Sequence, residues 1–403
     1  MILADHVWRS REGLPALLDA LGAPAGETRL VGGVVRDTLL GISVADIDLA
    51  TRHMPEETRE RIARAGFKAV PTGLAHGTIT AVLPSGPIEV TTLRRDVATD
   101  GRHAEVAFTD DWRADAARRD FTINALSADP RDGAVFDYFG GLDDLAVRRV
   151  RFIGDPLTRI AEDHLRILRF FRFTARFGKG LIDAEGLAAC LARANDLMAL
   201  SRERIAQEML RLLALPDPVP TLHAMLRHAI LTPVLPEIDR AAPDRIAELR
   251  RIEHATGIAP DPIRALAACL PADNTEAVAM RLRLSKAQRK RLVLAQRPAE
   301  DDACATRARL YRDGREATID QLLLSGRDAD VVRAGLRAIE GWEAPRLPIG
   351  GGALIALGFT AGPGVAAALQ RIEQRWIAED FPPAARVEEI AREEAAKLGA
   401  TPP

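Results

Sequence analysis

Two hydrophobic periodicities divide this 403-residue chain, and the change from one to the other falls near residue 150. Before it, short apolar runs bounded by Gly, Pro and Ser alternate with brief helical stretches. Residues 28–31, 45–50, 78–82 and 88–93 read as strands, and 15–21, 34–40 and 56–65 as helices. After it only the helical period recurs, interrupted by Pro216-Asp217-Pro218-Val219-Pro220 and by a loop-rich stretch at 345–352. Asp155-Pro156 opens one helix that the pattern carries through Phe177 to Gly178. The expected fold is α+β: a small mixed-sheet head followed by an extended all-α remainder.

Charge and cysteine usage narrow the classes of function. The chain carries 55 Lys and Arg against 57 Asp and Glu, a formal charge of −2. A dedicated non-specific nucleic-acid binder is strongly basic, so any RNA partner must be met by local patches. Cys190, Cys269 and Cys304 are scattered without metal-ligand spacing, which suits a reducing cytosol. Residues 1–11 carry Asp5, Arg9 and Arg11 and no signal-like apolar core. No run approaches the roughly 20 apolar residues that cross a bilayer, so the expectation is a soluble, cytoplasmic protein with no membrane partner.

The chemistry begins where the first strand meets Gly32-Gly33, followed by Val34-Val35-Arg36-Asp37 and then Asp46-Ile47-Asp48. Side chains two apart on a strand share a face, so Asp46 and Asp48 are expected to project together, about 6.6 Å apart along the chain. Paired carboxylates hold Mg²⁺, and two such ions suit an in-line displacement at phosphorus. The glycines let backbone amides approach a polyphosphate, and Arg36 brings positive charge to it. Glu89 is the only acid in its strand. It either completes a carboxylate triad, if its strand pairs beside Asp48, or is an edge charge in water.

Two further segments concentrate hydrogen-bonding groups. Arg118-Arg119-Asp120-Phe121-Thr122-Ile123-Asn124 offers Asp120 as a helix N-cap, or Arg and Asp together as readers of a ribose hydroxyl. In Glu162-Asp163-His164-Leu165-Arg166 and onward, Arg166, Arg169, Arg172 and Arg176 fall within an arc of about 120° on a helix. Phe170, Phe173 and Phe177 beside that stripe can anchor it. Four arginines repel one another unless anions face them, and Glu162 compensates only in part, so a phosphate or base ligand is expected. Asp163 and Arg166 can point at one ligand: the carboxylate accepts from an exocyclic amine, and the guanidinium donates to a ring nitrogen. Cytosine and adenine match this polarity; uracil and guanine present the reverse and leave both groups unpaired.

In this order the motifs resemble the class II CCA-adding tRNA nucleotidyltransferases and the similar bacterial poly(A) polymerases, within the polymerase-beta-like nucleotidyltransferase superfamily. The resemblance runs from about Thr28 to Arg211 through Gly-Gly-Val-Val-Arg-Asp, Asp46-Ile47-Asp48, Glu89 to Arg94, Arg118-Arg119-Asp120, Gly154-Asp155-Pro156 and Glu162-Asp163-x-x-Arg166. It continues more weakly from Leu347 to Trp376. It implies a catalytic head at 1–150, a base-recognising neck at 151–215, a body at 216–300 and a tRNA-binding tail at 301–403. It further implies that Gly33, with Gly32, and Arg36 contact the triphosphate, and that Asp46 and Asp48 ligate Mg²⁺. Arg119, with Arg118 and Asp120, would meet ribose and phosphates. Asp163 and Arg166 would template the base, with Arg169 and Arg172 against the nucleotide and Glu89 as a third acid. The implied activity is template-independent addition of C, C and A to the acceptor arm of tRNA from CTP and ATP, releasing pyrophosphate, with no stable protein partner. Leu74-Ala75-His76-Gly77-Thr78 resembles the CCA-adding version, and residues 96–111 the flexible loop tied to the switch from C to A. Open-ended poly(A) synthesis and a catalytically inactive RNA-binding protein are the alternatives.

Overall fold

A computed structural model describes residues 1–3, 7–44, 46–99, 104–298 and 303–397, so the centre of the expected flexible loop and residue 45 lie outside the described residues. The chain divides into two compact units, Met1–Pro236 and Glu237–Pro403. No described helix is long and apolar enough to cross a membrane.

The first unit is built on a seven-stranded mixed sheet. Its strands are β1 (Thr28–Val31), β2 (Asp48–Thr51), β3 (Lys68–Gly73), β4 (Thr78–Leu83), β5 (Gly86–Thr92), β8 (Ser127–Ala128) and β9 (Val135–Phe136), in the order β3-β4-β5-β2-β1-β8-β9. A separate hairpin comprises β6 (Arg94–Thr99) and β7 (Ala104–Phe108). Strands β2 and β5 run parallel, with Asp48 opposite Glu89; the other sheet neighbours are antiparallel. Alternation sends Leu49, Ile79, Ala81, Ile88 and Val90 into the core. Helices α1 (Leu14–Ala20) and α3 (Pro55–Arg64) supply Leu14, Leu17 and Ile62 to the same core. Between them in sequence, α2 (Gly33–Leu39) follows β1.

Two local departures from expectation have simple causes. Strand β2 begins at Asp48 rather than at residue 45, so Asp46 precedes it. Its partner β1 pairs Leu30 with Leu49 and then turns at Gly32, which leaves earlier residues nothing to pair with. Strand β3 carries Pro71, which hides it from a propensity reading; it is tolerated because β3 is the sheet edge, with an irregular register between Val70 and Gly73.

Helices complete this unit: α4 (Trp112–Ala117), α5 (Gly141–Ala146), α6 (Pro156–Glu162), α7 (Arg166–Phe177), α8 (Ala184–Ala192), α9 (Arg202–Leu213) and α10 (Val219–Arg227). The single helix expected from Pro156 to Phe177 is two. Asp155 caps α6 by accepting from Thr158 N at 2.7 Å. Asp163 then stands extended at φ −152°, its side chain accepting from Leu165 N at 3.1 Å. An Asp that bonds neighbouring backbone competes with helix continuation, while the apolar period runs on across the break. Phe170, Phe173 and Phe177 do anchor α7: Phe173 lies 5.2 Å from Phe121, Phe170 5.4 Å from Phe152, and Phe177 5.7 Å from Phe173. The proline-rich stretch 216–220 links α9 to α10 without leaving the unit, because α10 packs on α7.

The second unit is all helical. It comprises α11 (Ala242–Thr256), α12 (Pro262–Cys269), α13 (Thr275–Arg281), α14 (Lys286–Ala295), α15 (Ala303–Asp313), α16 (Arg315–Leu323), α17 (Ala329–Ala338), α18 (Gly351–Ala356), α19 (Pro363–Ala378) and α20 (Ala384–Lys397). Buried Arg264 ties three helices together, bonding Glu253 of α11 at 2.5 Å and Asp320 of α16 at 2.8 Å. Leu354, Val365, Ile372, Trp376, Val387 and Ile390 form a second core across α18, α19 and α20.

Candidate active site

The site grows from the turn after β1. Gly32 stands at φ +69° and ψ −119°, a conformation that glycine alone adopts without strain. A Cβ there would meet Arg119 Nη1 at 2.9 Å, so the missing side chain also lets that guanidinium lie against the turn. Arg36 on α2 is 6 % exposed. Its Nε donates to Asp37 Oδ1 at 2.8 Å, its Nη1 to Asn124 Oδ1, and its guanidinium lies 4.2 Å from the Phe177 ring. Burial pulls its pKa down, partly offset by Asp37.

The segment after α4 supplies the next wall. Buried Asp115 accepts from Arg118 Nε at 2.8 Å and from Arg119 Nη2 at 3.5 Å, aligning both guanidiniums. Burial works against its charge, yet Arg119 and Arg118 hold its carboxyl below the usual range. Asp120 is not the helix N-cap that the sequence suggests, because the short 3₁₀ turn that follows, Thr122–Asn124, has Phe121 at its N-cap position and no side-chain cap. Its Oδ1 accepts from Phe121 N and from Asn124 Nδ2, both at 2.9 Å, and its Oδ2 from Arg169 Nε at 2.8 Å. Against the cost of burial, Arg169 and Asn124 keep Asp120 ionised with a lowered pKa.

The arginine stripe of α7 is neutralised from within the protein, which corrects the expectation that it needs an external anion. Arg166 bonds Glu162 at 2.5 Å, Arg169 bonds Asp120, Arg172 bonds Glu208 at 2.6 Å and Arg176 bonds Asp37 at 3.1 Å. Glu208 lies on α9, 36 residues from Arg172 in sequence. Arg172 therefore faces away from the ligand space. With Arg172 9 % and Glu208 2 % exposed, removing the carboxylate strands a buried cation. Glu208→Ala is expected to destabilise the protein by about 3 kcal/mol or more, measured as a lower midpoint of urea unfolding; an unchanged midpoint would contradict this pairing.

The remaining groups converge on one cavity of about 370 Å³, lined by Gly32, Gly33, Arg36, Arg118, Arg119, Asp120, Asn124, Asp163, Arg166, Arg169 and Phe173. Asp163 is held there by Arg204, whose Nη2 donates to its Oδ2 at 2.7 Å. Arg166 is held by the Arg159 carbonyl at 2.8 Å and the Arg118 carbonyl at 3.2 Å. Five guanidiniums against two carboxylates give the lining a positive excess suited to a polyanion. Residues Asn124, Asp115, Arg204 and Glu208 escape the sequence reading. Asn124 sits four residues after Asp120 in a segment already dense in polar groups, a signal that was present; the partners on α9 give no such local sign.

Beside this cavity lie the acids. Asp48 heads β2 and faces Glu89 in register on β5; Glu89 and Asp46 are exposed. The pKa of Asp48 is raised, first by burial and then by repulsion from Glu89, with Asp46 adding to it and Arg119 opposing. Arg119 thus joins the two parts of the site, lining the cavity and acting on Asp48. Among the described residues no three His, Cys, Asp or Glu side chains form a metal cage by themselves. Magnesium is ordinarily held by one or two carboxylates together with substrate phosphates, and the excess negative charge at Asp48 fits a divalent cation of that kind.

Residues 28–151 match the family model of the poly A polymerase head domain. Residues 182–242 match that of a probable RNA and SrmB-binding site of polymerase A. The mitochondrial CCA tRNA nucleotidyltransferase 1 of Mus musculus is 35% identical over 382 residues, spanning 91% of this chain and 86% of the relative. The CCA-adding enzyme of Streptococcus gordonii is 39% identical over 243 residues, 59% of each chain. Among solved structures, the Bacillus stearothermophilus CCA-adding enzyme in complex with CTP shares the fold at a TM-score of 0.73, with 23% identity over 96% of this chain and 100% of that one. The Thermotoga maritima CCA-adding enzyme complexed with tRNA shares it at 0.63, with 22% identity over 99% and 100%.

Proposed function

This chain belongs to the CCA tRNA nucleotidyltransferase family, and from that membership we propose that it adds C, C and A to the 3′ end of tRNA, using CTP and ATP, releasing pyrophosphate and depending on Mg²⁺. The observation that carries the reading is one cavity holding both an Arg-lined anion site and the Asp163–Arg166 pair, joined through Arg119 to a cluster of acids. The relatives named above are CCA-adding enzymes of a vertebrate mitochondrion and of bacteria. One of the solved neighbours is a complex with CTP and another a complex with tRNA.

The residues divide the work. Gly32, Gly33 and Arg36 receive the triphosphate, with Arg119 at its α-phosphate end beside Asp48. Asp163 accepts from the exocyclic amine of cytosine or adenine and Arg166 donates to the adjacent ring nitrogen. Asp120, bonded to Arg169 and Asn124, fixes the floor on which the ribose rests. The acids Asp46 and Asp48, with Glu89, would hold Mg²⁺, which lowers the pKa of the attacking 3′-hydroxyl and offsets charge on the triphosphate. The arginines are preorganised by carboxylates before substrate arrives, so they stabilise developing charge without reorganising. In this reading 1–150 is the catalytic head, 151–215 the neck, 216–300 the body and 301–403 a tail that binds tRNA, in a cytoplasmic enzyme.

The test is incubation of tRNA ending at its discriminator base with single nucleotides. CTP alone is expected to extend the tRNA by two residues, UTP and GTP by none, and CTP with ATP by three. Long tails from ATP alone on unstructured RNA would select poly(A) synthesis instead, and tRNA binding without turnover an inactive binder.

A further inference from the structure

Strand order separates the two sides of Asp48. The nucleotide cavity opens from Gly32 and Gly33, beyond β1, whereas Glu89 on β5 lies on the other flank of β2. An in-line displacement at phosphorus needs its nucleophile opposite the leaving group, so the primer end belongs on the β5 side. What the sheet offers there is a row of hydroxyls. Thr80 on β4 is in register with Glu89, and Thr78 with Thr91. Thr80 bonds Thr72 of β3, Oγ1 to Oγ1, at 2.8 Å, and Thr78 bonds Thr91 at 3.1 Å. These residues alternate with the core-facing Ile79, Ala81, Ile88 and Val90, so they share the face that carries Asp48 and Glu89. Thr72 and Glu89 are exposed, Thr78 and Thr91 half-buried, and Thr80 buried, so Thr72 presents the outward hydroxyl of its pair while Thr80 holds it in place. Exposed Val82 and Pro87, paired in register, continue the same face as an apolar patch beside the hydroxyls.

In each threonine pair one hydroxyl donates to the other, which leaves one O–H per pair free to donate outward and lone pairs free to accept. With strands about 4.8 Å apart, Thr80 stands roughly 10 Å across the sheet from Asp48, within reach of one nucleotide. We propose that this threonine face, Thr72–Thr80 and Thr78–Thr91, seats the terminal nucleotide of the tRNA primer: its hydroxyls bond the terminal ribose, and Val82 and Pro87 take the apolar face of the base. The 2′-hydroxyl is the group that distinguishes an RNA end from a DNA end. The threonines position the primer and take no part in bond making. This inference rests on the nucleotidyltransferase reading above.

The test uses the full chain and two tRNAs lacking their CCA end, one with ribose and one with 2′-deoxyribose at the terminal position, both with a free 3′-hydroxyl. The unaltered protein is expected to prefer the ribose end. Thr80→Val, Thr91→Val and Thr72→Val are expected to raise KM for the ribose-ended tRNA by roughly three- to tenfold, about the worth of one hydrogen bond. They should reduce the ribose preference by the same factor and leave KM for CTP unchanged. Thr80→Ser and Thr91→Ser keep the hydroxyl and should retain the preference; Thr72 is exposed, so its variant does not hinge on the core. Equal ribose preference in the unaltered protein and the valine variants overturns the proposal, as does a matching loss in KM for CTP. Failure of the unaltered protein to extend either tRNA overturns the functional reading itself.

Discussion

Asp48→Asn is expected to lower the rate of CMP addition to tRNA by about 10³-fold or more while leaving the melting temperature unchanged or higher. Both halves come from the same geometry. Loss of a carboxylate that holds a catalytic cation removes several kcal/mol of transition-state stabilisation, each 1.36 kcal/mol being tenfold in rate. The folded protein, however, gains nothing from the charge. Burial and the neighbouring Glu89 and Asp46 raise the pKa of Asp48, so its ionised form is disfavoured in the fold relative to the unfolded chain. Above that raised pKa the cost is present, and an isosteric amide removes it. Single-turnover incorporation and thermal melting measure the two effects. A variant that loses both activity and several degrees of stability would show that Asp48 is chiefly a structural residue.

Arg166→Ala is expected to lower selectivity for CTP over UTP by roughly 10- to 100-fold, with a smaller effect on tRNA binding. The guanidinium is held by Glu162 and two backbone carbonyls, so it meets the base with its direction already set. A wrong base offers no acceptor to Arg166 and no donor to Asp163 at the partly buried point where they face it, a penalty of about 1–3 kcal/mol. Removing Arg166 removes that penalty for UTP and a hydrogen bond for CTP. The ratio of kcat/KM for the two nucleotides is the measurement. If the ratio is unchanged while both values fall, Arg166 supports the cavity without reading the base.

How far the sequence reaches depends on whether the governing contact is local. Strand β1, α2 and the Asp155 cap are fixed by neighbours within a few residues, and each is legible. The cavity residues from Gly32 to Arg169 come from three separate segments, each with its own pattern, and the fold brings them together. What periodicity alone mistakes is the partner. The α7 arginines look unbalanced because Asp120, Asp37 and Glu208 lie 49, 139 and 36 residues from the arginines they bind. Arg172, which the resemblance sets against the nucleotide, is buried on Glu208 and lies outside the cavity lining. Periodicity does not show the break at Asp163, because the apolar spacing continues through it, nor β3, because Pro71 argues against a strand unless the edge position is known.

In the proposed function one cavity orients a nucleoside triphosphate so that its base meets Asp163 and Arg166 while its reacting phosphate meets the acids at Asp48. A crystal structure of the protein soaked with CTP and Mg²⁺ tests this directly. The cytosine N4 amine is expected on Asp163, N3 on Arg166, the phosphates against Gly33 and Arg36, and the metal on Asp46 and Asp48. A triphosphate bound elsewhere, or a base turned away from Asp163 and Arg166, would contradict it.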